Sequence, residues 1–209
     1  MTNSIWPDGE KTQDLLKHAR EGDDDAVQAL MDRYRDSLRR MIQMRLDQRL
    51  MRRVDVSDVI QDVLVEANRR LQDYLAEPRM DFHLWIRQIA KDRIIDAHRR
   101  HRVSAKRSVD REQPLLAPGN NDQSTMELAG QLCDPSLTPA AAATRKEIAA
   151  QVEVAVQRLG EQDREIILMR HYEQLSNQEI AQALGLTEPA ASMRYLRAIK
   201  RLRAILDEA

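Results

Sequence analysis

Apolar residues recur every three to four positions along most of the N-terminal half of the chain, which is the period of an amphipathic α-helix. The third helix is expected to begin at Ser57, because a serine side chain suits the N-cap position, and to end before Pro78. The predicted helical stretches are residues 12–50, divided into two helices at Glu21-Gly22-Asp23, then 57–77 and 81–101. This pattern predicts one small helical domain over residues 12–102.

The helical period is lost between residues 103 and 138. Prolines interrupt this segment at Pro114, Pro118 and Pro135, and its apolar residues follow no regular spacing. A stretch of this composition is typical of a connection between domains. Residues 103–138 are therefore predicted to form a flexible linker.

Helical periodicity returns in the last third of the chain. Thr138 suits an N-cap and Pro139 the first helical position. The helices predicted there cover residues 139–159, 162–172, 176–184 and 188–206. In the last of them, the side chains expected to face the core are Met193, Leu196, Ile199 and Leu202. The fold class is therefore predicted as all-α, with a second small helical domain over residues 139–209.

Residues 176–203 have the spacing of a helix-turn-helix. Ser176 and Glu179 form a capping-box pattern, and Gly185 lies where a tight turn between two crossing helices is needed. Thr187 is a suitable N-cap for the second helix, and Pro189 falls in its first turn, where a missing amide hydrogen costs little. An ordinary pair of antiparallel helices also has such caps, but the strongly basic second helix favours DNA binding.

Composition excludes several classes of protein. With 6 glycines, 7 prolines and 3% aromatic residues, a β-sandwich or barrel is disfavoured. Cys133 is the only cysteine, which excludes an internal disulfide and a cysteine-rich zinc site and favours a reducing, cytoplasmic environment. The sequence contains no apolar run long enough for a membrane span and no common catalytic or phosphate-binding motif. We expect no enzyme activity, no metal and no cofactor.

The net charge of −1 conceals two basic stretches. Residues 86–107 carry eight basic and two acidic residues, and residues 194–203 carry five basic residues and no acidic one. Each stretch alone could be a solvated helix face. Two separate positive stretches in acidic surroundings nevertheless favour two contacts with one polyanion.

Two polar patterns in the first half of the chain add to this interpretation. Asp58, Gln61 and Asp62 lie three and four positions apart, so they share one face of a helix that suits a basic partner helix or simply faces solvent. Phe82 and Trp85 lead into the first basic stretch. Aromatic rings beside cations suit unstacked single-stranded DNA, although each ring could equally belong to the core.

Three segments, in their order along the chain, resemble the extracytoplasmic-function (ECF) group of bacterial sigma-70 factors. These segments are DVSDVIQDV (55–63), WIRQIAKDRIIDAHRRHR (85–102) and residues 176–203. Residues 12–102 are similar to sigma region 2, and residues 139–209 to sigma region 4. The resemblance implies an RNA polymerase sigma factor that directs the core enzyme to specific promoters. The alternative is a helix-turn-helix regulator that acts without stable polymerase association.

The resemblance also implies partners and site residues. The implied partners are core RNA polymerase, through its largest and beta subunits, promoter DNA that is single-stranded at the −10 element and duplex at the −35 element, and an anti-sigma factor. The core-polymerase-binding residues would be Asp58, Gln61 and Asp62. The −10 DNA-binding residues would be Trp85, Lys91, Asp92, Asp96, Arg99 and Arg100. The −35 DNA-binding residues would be Glu188, Ala190, Ala191, Ser192, Arg194, Arg197 and Lys200.

Three residues depart from the pattern of the group. Asp92 stands where asparagine is common, Ser192 where lysine is frequent, and Pro189 where a small residue is usual. A carboxylate at position 92 would repel phosphate and change the base preference.

Overall fold

The computed structural model describes residues 4–7, 9–46, 54–105, 123–132 and 142–208. All regular secondary structure within these ranges is helical, as predicted. The described residues form two compact units, here called the N-terminal unit (described residues from 4 to 105) and the C-terminal unit (described residues from 123 to 208).

The N-terminal unit contains the helices α1 (Gly9–Arg20), α2 (Asp24–Arg45), α3 (Val56–Ala76) and α4 (Phe82–Ala105). The predicted break between α1 and α2 is present, because Gly22 adopts a left-handed φ of 88°. The backbone N–H of Ala26 donates to Asp23 Oδ1 at 3.1 Å and so caps α2. Helix α2 ends at Arg45, and Leu46 is extended, so this helix is shorter than the predicted stretch to residue 50, whose last residues, 47–50, lie outside the described residues.

The core of the N-terminal unit combines aliphatic side chains with an aromatic cluster formed by Tyr34, Tyr74, Phe82 and Trp85. Helix α2 packs against α1, α3 and α4. Leu30, Leu38 and Met41 on α2 are fully buried. Phe82 at the start of α4 meets Tyr34 edge to face, with 5.0 Å between ring centroids. Phe82 is therefore a core residue, as one of its two interpretations expected.

The N-cap of helix α3 lies two residues earlier than predicted. Asp55, and not Ser57, is its N-cap, and Asp55 Oδ1 accepts a hydrogen bond of 2.8 Å from the backbone N–H of Ser57. Both side chains suit an N-cap, and the carboxylate also interacts favourably with the positive end of the helix dipole. The helix ends at Ala76, before Pro78 as expected.

The C-terminal unit contains α5 (Gln123–Leu132), α6 (Ala142–Arg158), α7 (Glu161–Ile167), a π-helical turn (Leu168–Tyr172), α8 (Asn177–Leu184) and α9 (Glu188–Asp207). Helix α9 packs against α6, α7 and α8. Thr138 and Pro139, the predicted start of α6, lie outside the described residues.

Helix α5 lies within the segment for which a linker was predicted. It packs against α6 and the π-helical turn, and it buries Leu128 and Ala129. The Thr125 hydroxyl donates to the Tyr172 hydroxyl at 3.0 Å. Because α5 is only 10 residues long, its few apolar residues give little periodic signal, and contacts distant in sequence stabilise it.

The buried face of α9 includes Leu202 as predicted but otherwise differs from the predicted face. Met193 and Leu196 were expected in the core, but their exposed fractions are 53% and 57%. The residues of α9 that are buried are Ala191, Ala198 and Leu202. Small side chains at Ala191 and Ala198 let the neighbouring helices approach α9 closely, and this packing turns the larger apolar residues outwards.

Candidate nucleic-acid interface

The polar residues predicted to bind polymerase share one exposed face of α3. Asp58, Gln61 and Asp62 are all exposed. Val65 lies one turn beyond on the same face, with 61% of its surface accessible. The face thus combines carboxylates with an apolar side chain, a composition suited to a partner helix that has both basic and apolar residues.

Trp85 lies at the boundary between the aromatic cluster and solvent. Its ring is 4.7 Å from the Tyr74 ring and 5.2 Å from the Phe82 ring, measured between centroids. The side chain is half-buried. Its contacts fix the orientation of the ring, and its accessible part could stack on an unpaired base.

The basic residues of α4 differ widely in exposure. Arg87, counted in the first basic stretch, is 2% exposed and so adds no cation to the surface. Lys91 is half-buried and Asp92 is exposed. Asp96 Oδ2 lies 3.3 Å from Arg93 Nη2, and Asp96 Oδ1 lies 3.8 Å from Arg99 Nη2. Among these residues, the carboxylate of Asp96 thus pairs with arginines of the same helix.

A groove of about 350 Å³ between α3 and α4 brings two predicted sites together. Its lining residues are Asp62, Val65, Glu66, Arg93, Asp96, Arg99 and Arg100. Arg100 Nη2 lies 3.3 Å from Asp62 Oδ2 across this groove. Glu66 pairs with Arg69 at 2.7 Å and with Arg70, and the hydrogen bond from Arg69 lowers the pKa of Glu66. The ion pair of Asp62 and Arg100 therefore joins a residue predicted to bind polymerase to one predicted to bind DNA.

The predicted helix-turn-helix is formed by α8 and α9. The backbone N–H of Glu179 donates to Ser176 Oγ at 3.2 Å, and the backbone N–H of Ser176 donates to Glu179 Oε2 at 2.7 Å, which completes the capping box. Gly185 ends α8 with a left-handed φ of 63°. The backbone N–H of Ala190 donates to Thr187 Oγ1 at 3.3 Å. All three local predictions are confirmed.

The predicted −35 residues on α9 fall into three groups by their exposure. Glu188, Ser192, Arg197 and Lys200 are exposed, and Ala190 and Arg194 are half-buried. Ala191 is fully buried in the core, so the expectation that it contacts DNA is wrong. The helical period predicted which residues share a face, but it did not predict which face is buried.

Asn177 joins the two helices of the motif through two side-chain hydrogen bonds. Asn177 Nδ2 donates to the carbonyl oxygen of Glu188 at 3.1 Å, and Ser192 Oγ donates to Asn177 Oδ1 at 3.2 Å. These bonds hold the first two turns of α9 against the start of α8. The predicted site did not include Asn177, because its role depends on a contact between helices.

Two further polar contacts stabilise the position of α9. Arg201, one of the five basic residues between 194 and 203, forms an ion pair with Asp163 of α7. His171 Nε2 lies 2.9 Å from the Tyr195 hydroxyl. Burial, together with the neighbouring charge of Arg170, lowers the pKa of His171 to about 4. The imidazole is therefore neutral at physiological pH.

Comparison with known families accounts for both units. Residues 27–103 match the family model described as Sigma-70 region 2, and residues 145–202 match the one described as Sigma-70, region 4. The chain belongs to the sigma-70 family. It is an ECF-type sigma factor, a transcription initiation factor that directs core RNA polymerase to promoters.

Individual relatives agree with this assignment. RNA polymerase sigma factor CnrH of Cupriavidus metallidurans is 32% identical over 158 residues, which are 73% of this chain and 74% of that protein. ECF RNA polymerase sigma factor BldN of Streptomyces coelicolor is 25% identical over 205 residues, 96% of this chain and 68% of that protein.

A solved structure is similar in fold to this sigma factor. The structure of CnrH in complex with the cytosolic domain of CnrY aligns with a TM-score of 0.59 and 22% sequence identity. The alignment covers 95% of this chain and 99% of that chain.

The sigma-70 matches include the elements that carry the predicted site residues. Region 2 covers α3 and the part of α4 up to residue 103, and region 4 covers α7, α8 and the part of α9 up to Leu202. Helix α1 and helix α5 lie outside both matches. The alternative of a regulator that acts without polymerase leaves region 2 without a role.

The described residues of this sigma factor contain neither a membrane-spanning helix nor a candidate metal site. None of their helices has the length and apolar character needed to cross a membrane. The same residues contain no group of three or more histidine, cysteine, aspartate or glutamate side chains placed to hold a metal ion.

Proposed function

We propose that the exposed face of α3 is the docking site for core polymerase. Asp58, Gln61 and Asp62 contact a basic coiled coil of the largest subunit in this proposal. The observation that carries it is that all three side chains are exposed on one helix face, with Val65 beside them. Charge complementarity of this kind speeds association and selects the partner.

We propose further that α4 and the half-buried ring of Trp85 hold the opened −10 element. The proposed contacts are Trp85, Lys91, Asp92, Asp96, Arg99 and Arg100. Trp85 supplies a stacking surface for an unpaired base, and Arg99, which is 81% exposed, supplies a cation for phosphate. Asp96 positions Arg93 and Arg99, so its role here is to orient arginines.

Helix α9 is proposed to enter the major groove of the −35 element. The proposed contacts are Glu188, Ala190, Ser192, Arg194, Arg197 and Lys200, and the buried Ala191 is left out. The N-terminal turns of such a helix contact base edges, and the basic residues further along contact phosphates. The two hydrogen bonds of Asn177 support this arrangement, because they fix the N-terminal turns of α9.

In this proposal the protein performs no chemistry. The polymerase supplies the catalytic site, and the sigma factor supplies contacts that offset the cost of opening the promoter. Binding depends on salt, because cations displace counterions from phosphate. The proposed place of action is the cytoplasm, where core polymerase meets DNA. We also propose an anti-sigma partner, since the relative CnrH forms a complex with the cytosolic domain of CnrY.

Run-off transcription tests the proposal. Purified core polymerase is incubated with genomic promoter fragments, with and without the full-length protein, and complex formation is measured by gel filtration. We expect a stable complex with core and new, discrete transcripts. If the protein forms no complex with core but binds specific DNA alone, it acts as a separate regulator and the proposed docking face is wrong.

A further inference from the structure

The outward face of α9 carries two large apolar side chains. Met193 and Leu196 are 53% and 57% exposed, whereas most exposed residues of this helix are polar. Met193, Leu196 and Lys200 lie four, seven and eleven positions after Pro189, so these residues lie along one face of the helix. This face points away from the buried stripe of Ala191, Ala198 and Leu202.

The charges around these residues indicate what kind of partner covers them. Arg197 and Lys200 are exposed beside Met193 and Leu196. The sequence of α9 contains five basic residues from 194 to 203, and none of its acidic residues lies between Glu188 and Asp207. An apolar pair surrounded by cations complements a polyanion that also presents apolar groups.

Duplex DNA presents one apolar group of this kind in the major groove. The C5-methyl group of thymine distinguishes a T·A pair from the other pairs, and it is contacted by apolar side chains. We propose that Met193 and Leu196 contact thymine methyl groups and thereby select T·A pairs in the −35 element. This inference rests on the proposed placement of α9 in that element.

The position of the pair supports a contact with bases. Met193 and Leu196 follow Ser192, whose hydroxyl is bound to Asn177. The first two turns of α9 are therefore held by α8. Lys200 lies one turn beyond Leu196 on the same face, where it can contact phosphate. The apolar pair thus lies between the anchored start of α9 and its basic end.

The test begins with the wild-type holoenzyme, made from core polymerase and the full-length protein. A promoter library randomised in its upstream segment is selected for binding. Each thymine of the selected −35 segment is then replaced by deoxyuridine, which removes only the methyl group. We expect the affinity to fall about three- to five-fold at one or two of these positions, the value for burial of one methyl-sized group.

Two variants assign the effect to the side chains. Met193→Ala and Leu196→Ala are each expected to weaken binding of the thymine duplex by at least the same factor. Each variant should also lose its sensitivity to deoxyuridine at one position, because the methyl group no longer has a partner. Val154→Ala on α6 is the matched control, since Val154 is a 37% exposed apolar residue of the same unit.

Several outcomes would overturn the inference. These are a selected element without thymine, a wild-type holoenzyme that is indifferent to every deoxyuridine, and variants that keep the wild-type sensitivity at every position. Variants that bind DNA like the wild type would assign the apolar pair to a protein partner. The proposed function fails separately, if no holoenzyme forms or if α9 variants such as Arg197→Ala leave the selected −35 element unchanged.

Discussion

Arg100 on α4 and Asp62 on α3 form an ion pair of 3.3 Å between side chains 38 positions apart in the sequence. The pair connects a cation proposed for −10 DNA with a carboxylate proposed for core polymerase. Both side chains are more than half exposed, so the pair contributes less than about 1 kcal/mol to stability. Loss of the pair is therefore easier to detect in the affinity for a binding partner than in the free energy of unfolding.

Asp62→Asn is expected to raise the affinity of the free protein for single-stranded DNA about two- to four-fold, because Arg100 loses its partner. The measurement is fluorescence anisotropy with an oligonucleotide that carries the −10 sequence of a promoter used by the holoenzyme.

The control for this prediction is Asp73→Asn, which makes the same charge change on α3 about 16 Å further along the helix axis. Asp62→Asn should have no such effect in an Arg100→Gln background. An equal gain in affinity from Asp73→Asn would show that only net charge matters.

Asp58→Lys is expected to weaken binding to core polymerase by at least about ten-fold, since a rim charge reversal replaces attraction with repulsion. Asp58 is exposed, so the substitution should leave the fold intact. The affinity can be measured by competition with a labelled wild-type protein. Asp73→Lys is the matched charge reversal, and equal weakening by both variants would contradict the proposed docking face.

Ala198→Leu is expected to destabilise the C-terminal unit by about 1–3 kcal/mol, because Ala198 is fully buried where α9 meets its neighbours. The free energy of unfolding is measured by urea denaturation. Ala204→Leu adds the same side chain at an exposed position of α9 and should be nearly neutral. A neutral Ala198→Leu would mean that α9 does not pack on its alanine stripe.

Gly185→Ala is expected to cost about 1–2 kcal/mol of unfolding free energy, since its φ of 63° is unfavourable for a residue with a Cβ atom. Space is not the cause, because no atom lies within 4 Å of the added Cβ. Gly130→Ala within α5 has equal space and a helical backbone, so it should stabilise the protein by a few tenths of a kcal/mol or more. Equal effects of the two substitutions would refute the explanation by backbone conformation.

The C-terminal unit is expected to lose stability as the pH falls from about 6.5 towards 4. Burial lowers the pKa of His171 to about 4 in the folded protein, whereas the imidazole of the unfolded chain keeps its ordinary pKa. As the pH falls, the unfolded chain therefore binds a proton before the folded protein does, and acid favours unfolding. The loss should reach roughly 2–3 kcal/mol at the lower limit. Urea denaturation at several pH values measures it, and His171→Gln, which does not titrate, should flatten the curve over this range.

Features determined by adjacent residues were predictable from the sequence. The break at Gly22, the capping box of Ser176 and Glu179, and the turn at Gly185 each depend on a few neighbouring positions. The exposed face of Asp58, Gln61 and Asp62 also followed from helical spacing alone.

Features that depend on tertiary contacts were not predictable in the same way. Helix α9 has two apolar stripes. The prediction placed Met193 and Leu196 in the core because large apolar side chains are usually buried, but the structure buries Ala191 and Ala198. Close approach of helices favours the small residues, but no local pattern reveals it. The pair of Asp62 and Arg100 likewise requires that α3 and α4 lie side by side.

The narrow buried stripe of α9 has an evolutionary consequence. Ala191, Ala198 and Leu202 hold this helix in the core, and its outward residues contribute little to folding. Substitutions at those outward positions can therefore accumulate without loss of the native state. A lineage of such factors can acquire new target genes through changes on one side of a single helix, while the opposite side preserves the fold.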